Sequence, residues 1–129
     1  MIIHIDTISA LPIYEQLRNQ IVLGIAGRRL APGEGLPSVR RLAADLGINF
    51  HTVNKSYAML CDEGYISMDR RKGAVVAQNQ NIRDEFAEEL SERLQLTAAE
   101  AICHGLDEEE YLRMCKQAYS KAKGGECNV

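Results

Sequence analysis

The chain is 129 residues long, 46% apolar and 26% charged, ordinary globular usage that can bury a core and that excludes collagen-like, low-complexity and disordered chains. No apolar run approaches the roughly 18 residues of a membrane span. The net charge of −3 conceals a partition: residues 1–77 hold nine Lys/Arg against seven Asp/Glu, and residues 78–129 hold six against eleven, so the basic part is marked for nucleic acid and the acidic part for another task.

The N-terminus has no basic leader and carries Asp6 early, so no signal peptide is expected and the protein should be soluble and cytoplasmic. Residues 2–6, Ile-Ile-His-Ile-Asp, are short and β-branched, and read as an edge strand or an extended arm. Leu11-Pro12 opens a helix, with proline tolerated in its first turn. Tyr14, Leu17, Ile21 and Ile25 follow at spacings of three and four, with Val22 beside them, giving one apolar face. Gly27 and the pair Pro32-Gly33 end this segment in a turn.

Ser38 is placed to cap the second helix, whose Val39, Leu42, Ala43 and Leu46 face inward. Gly47 stops it, and Asn49 caps a third helix that buries Val53, Tyr57, Leu60 and Cys61. Gly64 ends that helix. Two short strands, Tyr65–Met68 and Ala74–Ala77, then flank the basic tip Asp69-Arg70-Arg71-Lys72-Gly73. Two helices joined by a very short turn are the helix-turn-helix signature, and a hairpin directly behind makes the unit a winged helix. Residues 78–81 form a polar linker without apolar anchors.

Beyond it, Ile82, Phe86, Leu90 and Leu94 step by four, followed by Ala98, Ala101 and Ile102, for a helix over 82–104. Gly105 breaks it. Asp107 caps a last helix over 107–122, with Glu108, Glu109 and Glu110 in the first turn as the macrodipole favours. Its apolar side is Leu112, Cys115 and Tyr119, with Tyr111, Ala118 and Ala122. Two helices cannot enclose that many large side chains between themselves. Phe86, Leu90, Leu94, Ile102, Leu112 and Tyr119 are therefore expected at an interface with a second copy of the chain, the alternative being a tail folded back on its own winged domain.

Chemistry should be visible on the third helix. With Val53, Tyr57 and Leu60 buried, the opposite face presents Phe50, His51, Asn54 and Lys55, with Thr52 on the flank, and polar side chains in the first turns of such a helix are what major-groove reading needs. Ser38, Arg40 and Arg41 start the preceding helix, where N–H and guanidinium groups can grip phosphate. Arg70, Arg71 and Lys72, with Gly73, add positive charge at the hairpin tip. An ordinary solvated face is the competing account of each element taken alone.

The blocks Pro12-Ile13-Tyr14-Glu15-Gln16-Leu17, Leu36-Pro37-Ser38-Val39-Arg40, Leu42-Ala43 with Leu46-Gly47-Ile48-Asn49, and Thr52-Val53 resemble the GntR family of bacterial transcription regulators. Leu60 through Gly64-Tyr65-Ile66 continues the match, which covers about residues 8–77. The short two-helix tail resembles the YtrA-like branch, which implies a dimerisation element rather than a large effector-binding domain. Two departures bear on the site. Where the family often carries Ser-Arg at the start of the reading helix, this chain has Asn49-Phe50, which leaves His51 and Asn54 as the base-reading candidates. Where the wing tip commonly reads Gly-x-Gly, this one reads Arg71-Lys72-Gly73 and should be more electrostatic.

The expected fold class is mainly α (α+β winged helix): a winged helix-turn-helix DNA-binding domain over 1–77, a linker at 78–81 and a two-helix dimerisation tail over 82–129. The expected function is sequence-specific regulation of transcription, as a repressor, by a homodimer on a pseudo-palindromic operator in double-stranded DNA. A winged-helix module that binds only proteins is the alternative, because a fold does not dictate its ligand. No enzyme is expected: there is no nucleophile–base pairing, and Gly33-Glu34-Gly35 lacks the preceding strand of a nucleotide fingerprint. No cofactor or metal is expected either. Cys61, Cys103, Cys115 and Cys127 show no C-x-x-C spacing, and His4, His51 and His104 lie far apart, although a sensing role for Cys103/His104 stays open.

Overall fold

The computed structural model describes residues 2–78 and 84–124. It is mostly helical, with one small antiparallel hairpin, in the order α1 (Ile13–Ala26), α2 (Val39–Leu46), α3 (Phe50–Asp62), β1 (Ile66–Asp69), β2 (Gly73–Val76), α4 (Asp84–Cys103) and α5 (Glu108–Ala122). The chain divides into two compact units, residues 1–80 and 81–129. Ile82, most of the linker and Cys127 lie outside the described residues.

The first unit closes a core. Leu17, Ile21 and Ile25 of α1 meet Leu42 and Ala43 of α2, Val53, Tyr57 and Leu60 of α3, and Ile66, Ala74 and Val76 of the hairpin. On the helices these are positions that the three- and four-residue spacings select, while Tyr14, Val39, Leu46 and Cys61, expected on the same faces, are only half-buried. Two polar groups on α3 are buried with them. Ser56 is wholly buried and its Oγ donates to the Tyr14 carbonyl at 2.7 Å, tying α3 to the start of α1. The adjacent Tyr57 hydroxyl donates to the Pro37 carbonyl at 2.7 Å, tying α3 to the entry of α2. At the far end of α3, Glu63 accepts from Arg18 Nε at 2.9 Å and Nη2 at 3.2 Å. That pairing holds the guanidinium above its ordinary pKa, against the opposing effect of burial.

Three local details refine the sequence expectation. Of the two forms expected for residues 2–6, an edge strand or an extended arm, the structure shows the arm, because side-chain amides take the place of a neighbouring strand. Gln16 Oε1 accepts from the Asp6 N–H at 2.8 Å while its Nε2 donates to the Asp6 carbonyl at 2.9 Å. Gln20 treats His4 in the same two-way manner. Four residues of helix rise about 6 Å and two of extended chain about 6.6 Å, so glutamines at i, i+4 match alternate residues of the arm.

The end of α1, at Gly27 as expected, adds a second detail. Gly27 keeps a negative φ, and Arg28 takes the left-handed turn at φ +63°. Leu30 then tucks under the helix, its N–H donating to the Gly24 carbonyl at 3.1 Å. The closest side-chain approach there, 3.2 Å from a Cβ built on Gly24 to Leu30 Cδ1, leaves little room for any larger residue at that glycine.

Finally, the Pro32-Gly33 turn runs into a third short pairing segment. Gly33 and Leu36 donate to Val76 and Ala74, each at 2.8 Å, and Val76 donates to Glu34 at 2.9 Å, so residues 33–36 lie along β2. The hairpin register pairs Ile66 with Val76 and Asp69 with Gly73, one residue nearer the tip than the expected strands, and the Ala77 N–H still reaches the Tyr65 carbonyl. Polar Asp69 and flexible Gly73 are weak strand signals, so only the pairing itself reveals them.

In the second unit, α5 begins with a complete capping box, Asp107 accepting from the Glu110 N–H at 2.8 Å and Glu110 accepting from the Asp107 N–H. The α4–α5 seam is narrow. Ala101 is buried, Leu106 and Tyr111 are half-buried, and the Tyr111 and Thr97 hydroxyls share a hydrogen bond of 2.7 Å. No helix among the described residues is long and apolar enough to cross a membrane.

Burial pushes the Tyr57 hydroxyl up from 10.0 to about 12. An unfolded tyrosine ionises near pH 10, so the contribution of this group is complete below that pH and is lost as pH rises toward 12. Tyr57→Phe is expected to lower stability by about 1 kcal/mol at neutral pH through the missing hydrogen bond. It should also flatten the decline between pH 10 and 12 in urea unfolding. A variant that retained the full alkaline decline would show that another group causes it.

Candidate nucleic-acid interface

Two side-chain caps set the start of each helix in the helix-turn-helix. Ser38 Oγ accepts from the Arg41 N–H at 3.2 Å, and Asn49 Oδ1 accepts from the His51 N–H at 2.8 Å. Between them, Gly47 turns the chain at φ +68° and Ile48 folds back, its N–H donating to the Ala43 carbonyl at 3.1 Å. Both caps were legible as Ser and Asn before apolar periodicity. They also divide the labour of these side chains. Ser38 and Asn49 use an oxygen inside the protein, so Asn49 can offer a ligand chiefly its amide donors.

The expected reading face is outward. Phe50, His51, Asn54 and Lys55 are exposed, Thr52 is half-buried on the flank, and Arg40 and Arg41 are exposed on α2. Arg40 is brought to α3: its guanidinium lies 5.3 Å from the Phe50 ring centroid. The Phe50 and His51 rings in turn meet edge to face at 5.4 Å. Arg40, Phe50 and His51 thus form one cluster at the amino end of α3. The neighbouring Arg41 lies 3.9 Å from Asp45 in an exposed i, i+4 contact worth a few tenths of a kcal/mol.

Lys55 takes a different partner. Its ammonium sits 3.9 Å from the Tyr14 ring centroid, a cation–π contact of about 0.5–1 kcal/mol at an exposed position. Tyr14, half-buried and outside the core, serves α3 twice: its ring holds Lys55 and its carbonyl holds Ser56. Sequence reasoning counted Tyr14 as an apolar position and missed this role. No local spacing links residues 14 and 55, so only the packing of α1 on α3 could show it.

The wing tip is a separate element. Arg70, Arg71 and Lys72 are exposed around a turn closed by Gly73 at φ +78°, a conformation that favours glycine. Asp69 shapes the turn by accepting from the N–H groups of Arg71 at 2.7 Å and Lys72 at 3.0 Å. These hydrogen bonds, Arg71's first and then Lys72's, hold the carboxyl below the usual carboxylate range. The tip is thus a preformed loop bearing three cations.

In the second unit, Phe86 is 38% exposed, Leu94 49%, Leu112 56%, Ile102 72% and Tyr119 73%, while Leu90 is half-buried. Large apolar side chains at such exposure on two adjacent helices leave an unclosed face. Burial, then the neighbouring Asp62, pushes the Cys61 thiol up, away from the reactive thiolate, whereas Cys103 is exposed. Among the described residues no group of three His, Cys, Asp or Glu is placed to hold a metal ion.

Asn49→Ala removes the oxygen that caps α3 and is expected to lower stability by about 1 kcal/mol. Asn49→Asp retains the acceptor and should keep the wild-type midpoint. Urea unfolding followed by circular dichroism compares the two, and an unchanged Asn49→Ala midpoint would exclude an energetic role for the cap.

Residues 10–76 match the family model described as bacterial regulatory proteins, gntR family. The HTH-type transcriptional repressor YtrA of Bacillus subtilis (strain 168) is 32% identical over 128 residues, covering 98% of either chain. A crystal structure of a transcriptional antiterminator from Listeria monocytogenes EGD-e is 28% identical, with a TM-score of 0.88, over 100% of this chain and 98% of that one. YtrA from Sulfolobus acidocaldarius, a GntR-family transcription factor, is 40% identical, with a TM-score of 0.62, over 74% of this chain and 99% of that one.

Proposed function

This chain belongs to the GntR family and is a helix-turn-helix transcriptional regulator, and from that premise we propose that it is a repressor that binds a pseudo-palindromic operator as a homodimer. The carrying observation is the cluster of Arg40, Phe50 and His51 at the amino end of α3, the end of a reading helix that meets base edges. Asn54 and Thr52 extend that face, and Lys55 stands beside it on Tyr14. Repression is supported by the likeness over nearly the full length to a repressor. The site of action is the cytoplasm, where a bacterial operator is found.

The division of labour follows from side-chain chemistry. His51 and Asn54 have donors and acceptors that can match base edges. Arg70, Arg71 and Lys72 carry charge on a turn whose shape Asp69 fixes, which suits phosphate and gives affinity on any sequence. Homodimerisation is supported by the exposed apolar faces of α4 and α5, because a second copy of the same two helices covers them symmetrically. The second unit's acidic excess then carries no penalty, provided it stays off the phosphates.

The direct test is selection of bound duplexes from a random pool by the intact protein, with enrichment of a two-fold symmetric sequence as the expected result. A pool that stays random would overturn the DNA-reading proposal in favour of a protein-binding winged helix. On the selected duplex, neutralising Arg70, Arg71 and Lys72 should flatten the plot of log affinity against log salt by up to about 0.9 for each phosphate no longer neutralised. Asn54→Ala should instead cost about 1–3 kcal/mol at one base pair and leave the slope unchanged. Identical, sequence-independent losses in both variants would refute this division.

For the tail, the intact protein is expected to sediment as a dimer at micromolar concentration. Leu94→Glu with Leu112→Glu should shift it to monomer and weaken binding to the full operator more than to a half-site. A monomeric wild-type protein would exclude the dimerisation role.

A further inference from the structure

Phe50 is the one large apolar side chain on the otherwise polar reading face of α3, and its ring is 38% exposed. A helix that only needed solubility or phosphate contacts would place a polar residue there. The ring is not loose: Arg40 covers it at 5.3 Å and His51 meets it edge to face at 5.4 Å and 79°. What stays exposed is an apolar surface framed by a guanidinium and an imidazole, at the first residue of the helix.

We propose that Phe50 reads a thymine through its C5-methyl group. This rests on the DNA-reading proposal above and adds which base chemistry the exposed ring selects. Of the base-pair edges in the major groove, thymine alone offers an apolar group. The ring is also held before binding, by Arg40 over its face and His51 at its edge, so little rotamer freedom is lost when it meets the methyl group.

The test replaces each thymine of the selected duplex in turn with deoxyuridine, which pairs identically and lacks only the methyl group. Titration of the intact protein should find one thymine per half-site whose replacement weakens binding about fourfold, the factor expected for one buried methyl. Phe50→Ala should bind the thymine and deoxyuridine duplexes equally, while Phe50→Leu, still apolar, should keep most of the difference. Wild-type protein indifferent to deoxyuridine at every position would overturn the inference and leave the DNA-reading proposal standing. A methyl effect that persisted in Phe50→Ala would assign it to another residue. Failure to select any duplex would remove both proposals.

Discussion

Residues 56 and 57 fix where the third helix points. They are adjacent, so their side chains leave α3 about 100° apart, and each buries a hydroxyl that donates to a backbone carbonyl of a different neighbour. Ser56 binds Tyr14 at the start of α1, and Tyr57 binds Pro37 before α2. A buried hydroxyl left without an acceptor costs about 1–3 kcal/mol, so rotating or sliding α3 would strand the Tyr57 hydroxyl and leave Ser56 only its 3.3 Å contact to the Thr52 carbonyl of its own helix. The apolar contacts of Val53 and Leu60 could tolerate a small shift; these two directional bonds cannot.

Everything at the amino end of α3 inherits that constraint. Pro37, tied to Tyr57, lies three residues before the Arg40 that stacks on Phe50, and Ser56, which holds the Tyr14 carbonyl, is next to the Lys55 that sits over the Tyr14 ring. The two cations are thus positioned by aromatic rings on neighbouring elements rather than by acidic partners, which would have cancelled their charge. A guanidinium or ammonium held by a ring is ordered and still fully available to an anion. The wing follows the same logic with a different device, since Asp69 turns its acceptors inward to backbone N–H groups.

The two units are built on opposite terms. The first closes a core around Leu17, Ile21, Val53 and Leu60, although Ile2, Ile8 and Met68 stay exposed. The second closes only the seam around Ala101 and Tyr111, and leaves Ile102, Leu112 and Tyr119 exposed.

Much of this was legible in the chain itself. The three- and four-residue spacings from Tyr14 to Ile25 and from Val53 to Leu60, with Ser38, Asn49 and Asp107 before helices and Gly47, Gly64 and Gly105 after them, determine the helices and the short turn. Those signals are local, because capping and amphipathicity act within one or two turns. The basic tip and the polar face of α3 were legible for the same reason. Only the tertiary structure decided that residues 33–36 join β2, that Gln16 and Gln20 hold the arm, and that Arg40 rests on Phe50 while Lys55 rests on Tyr14. These contacts join residues from 10 to more than 40 positions apart. A glutamine, a tyrosine or an arginine has many partners open to it in sequence, and the packing of α1, α2 and α3 selects among them.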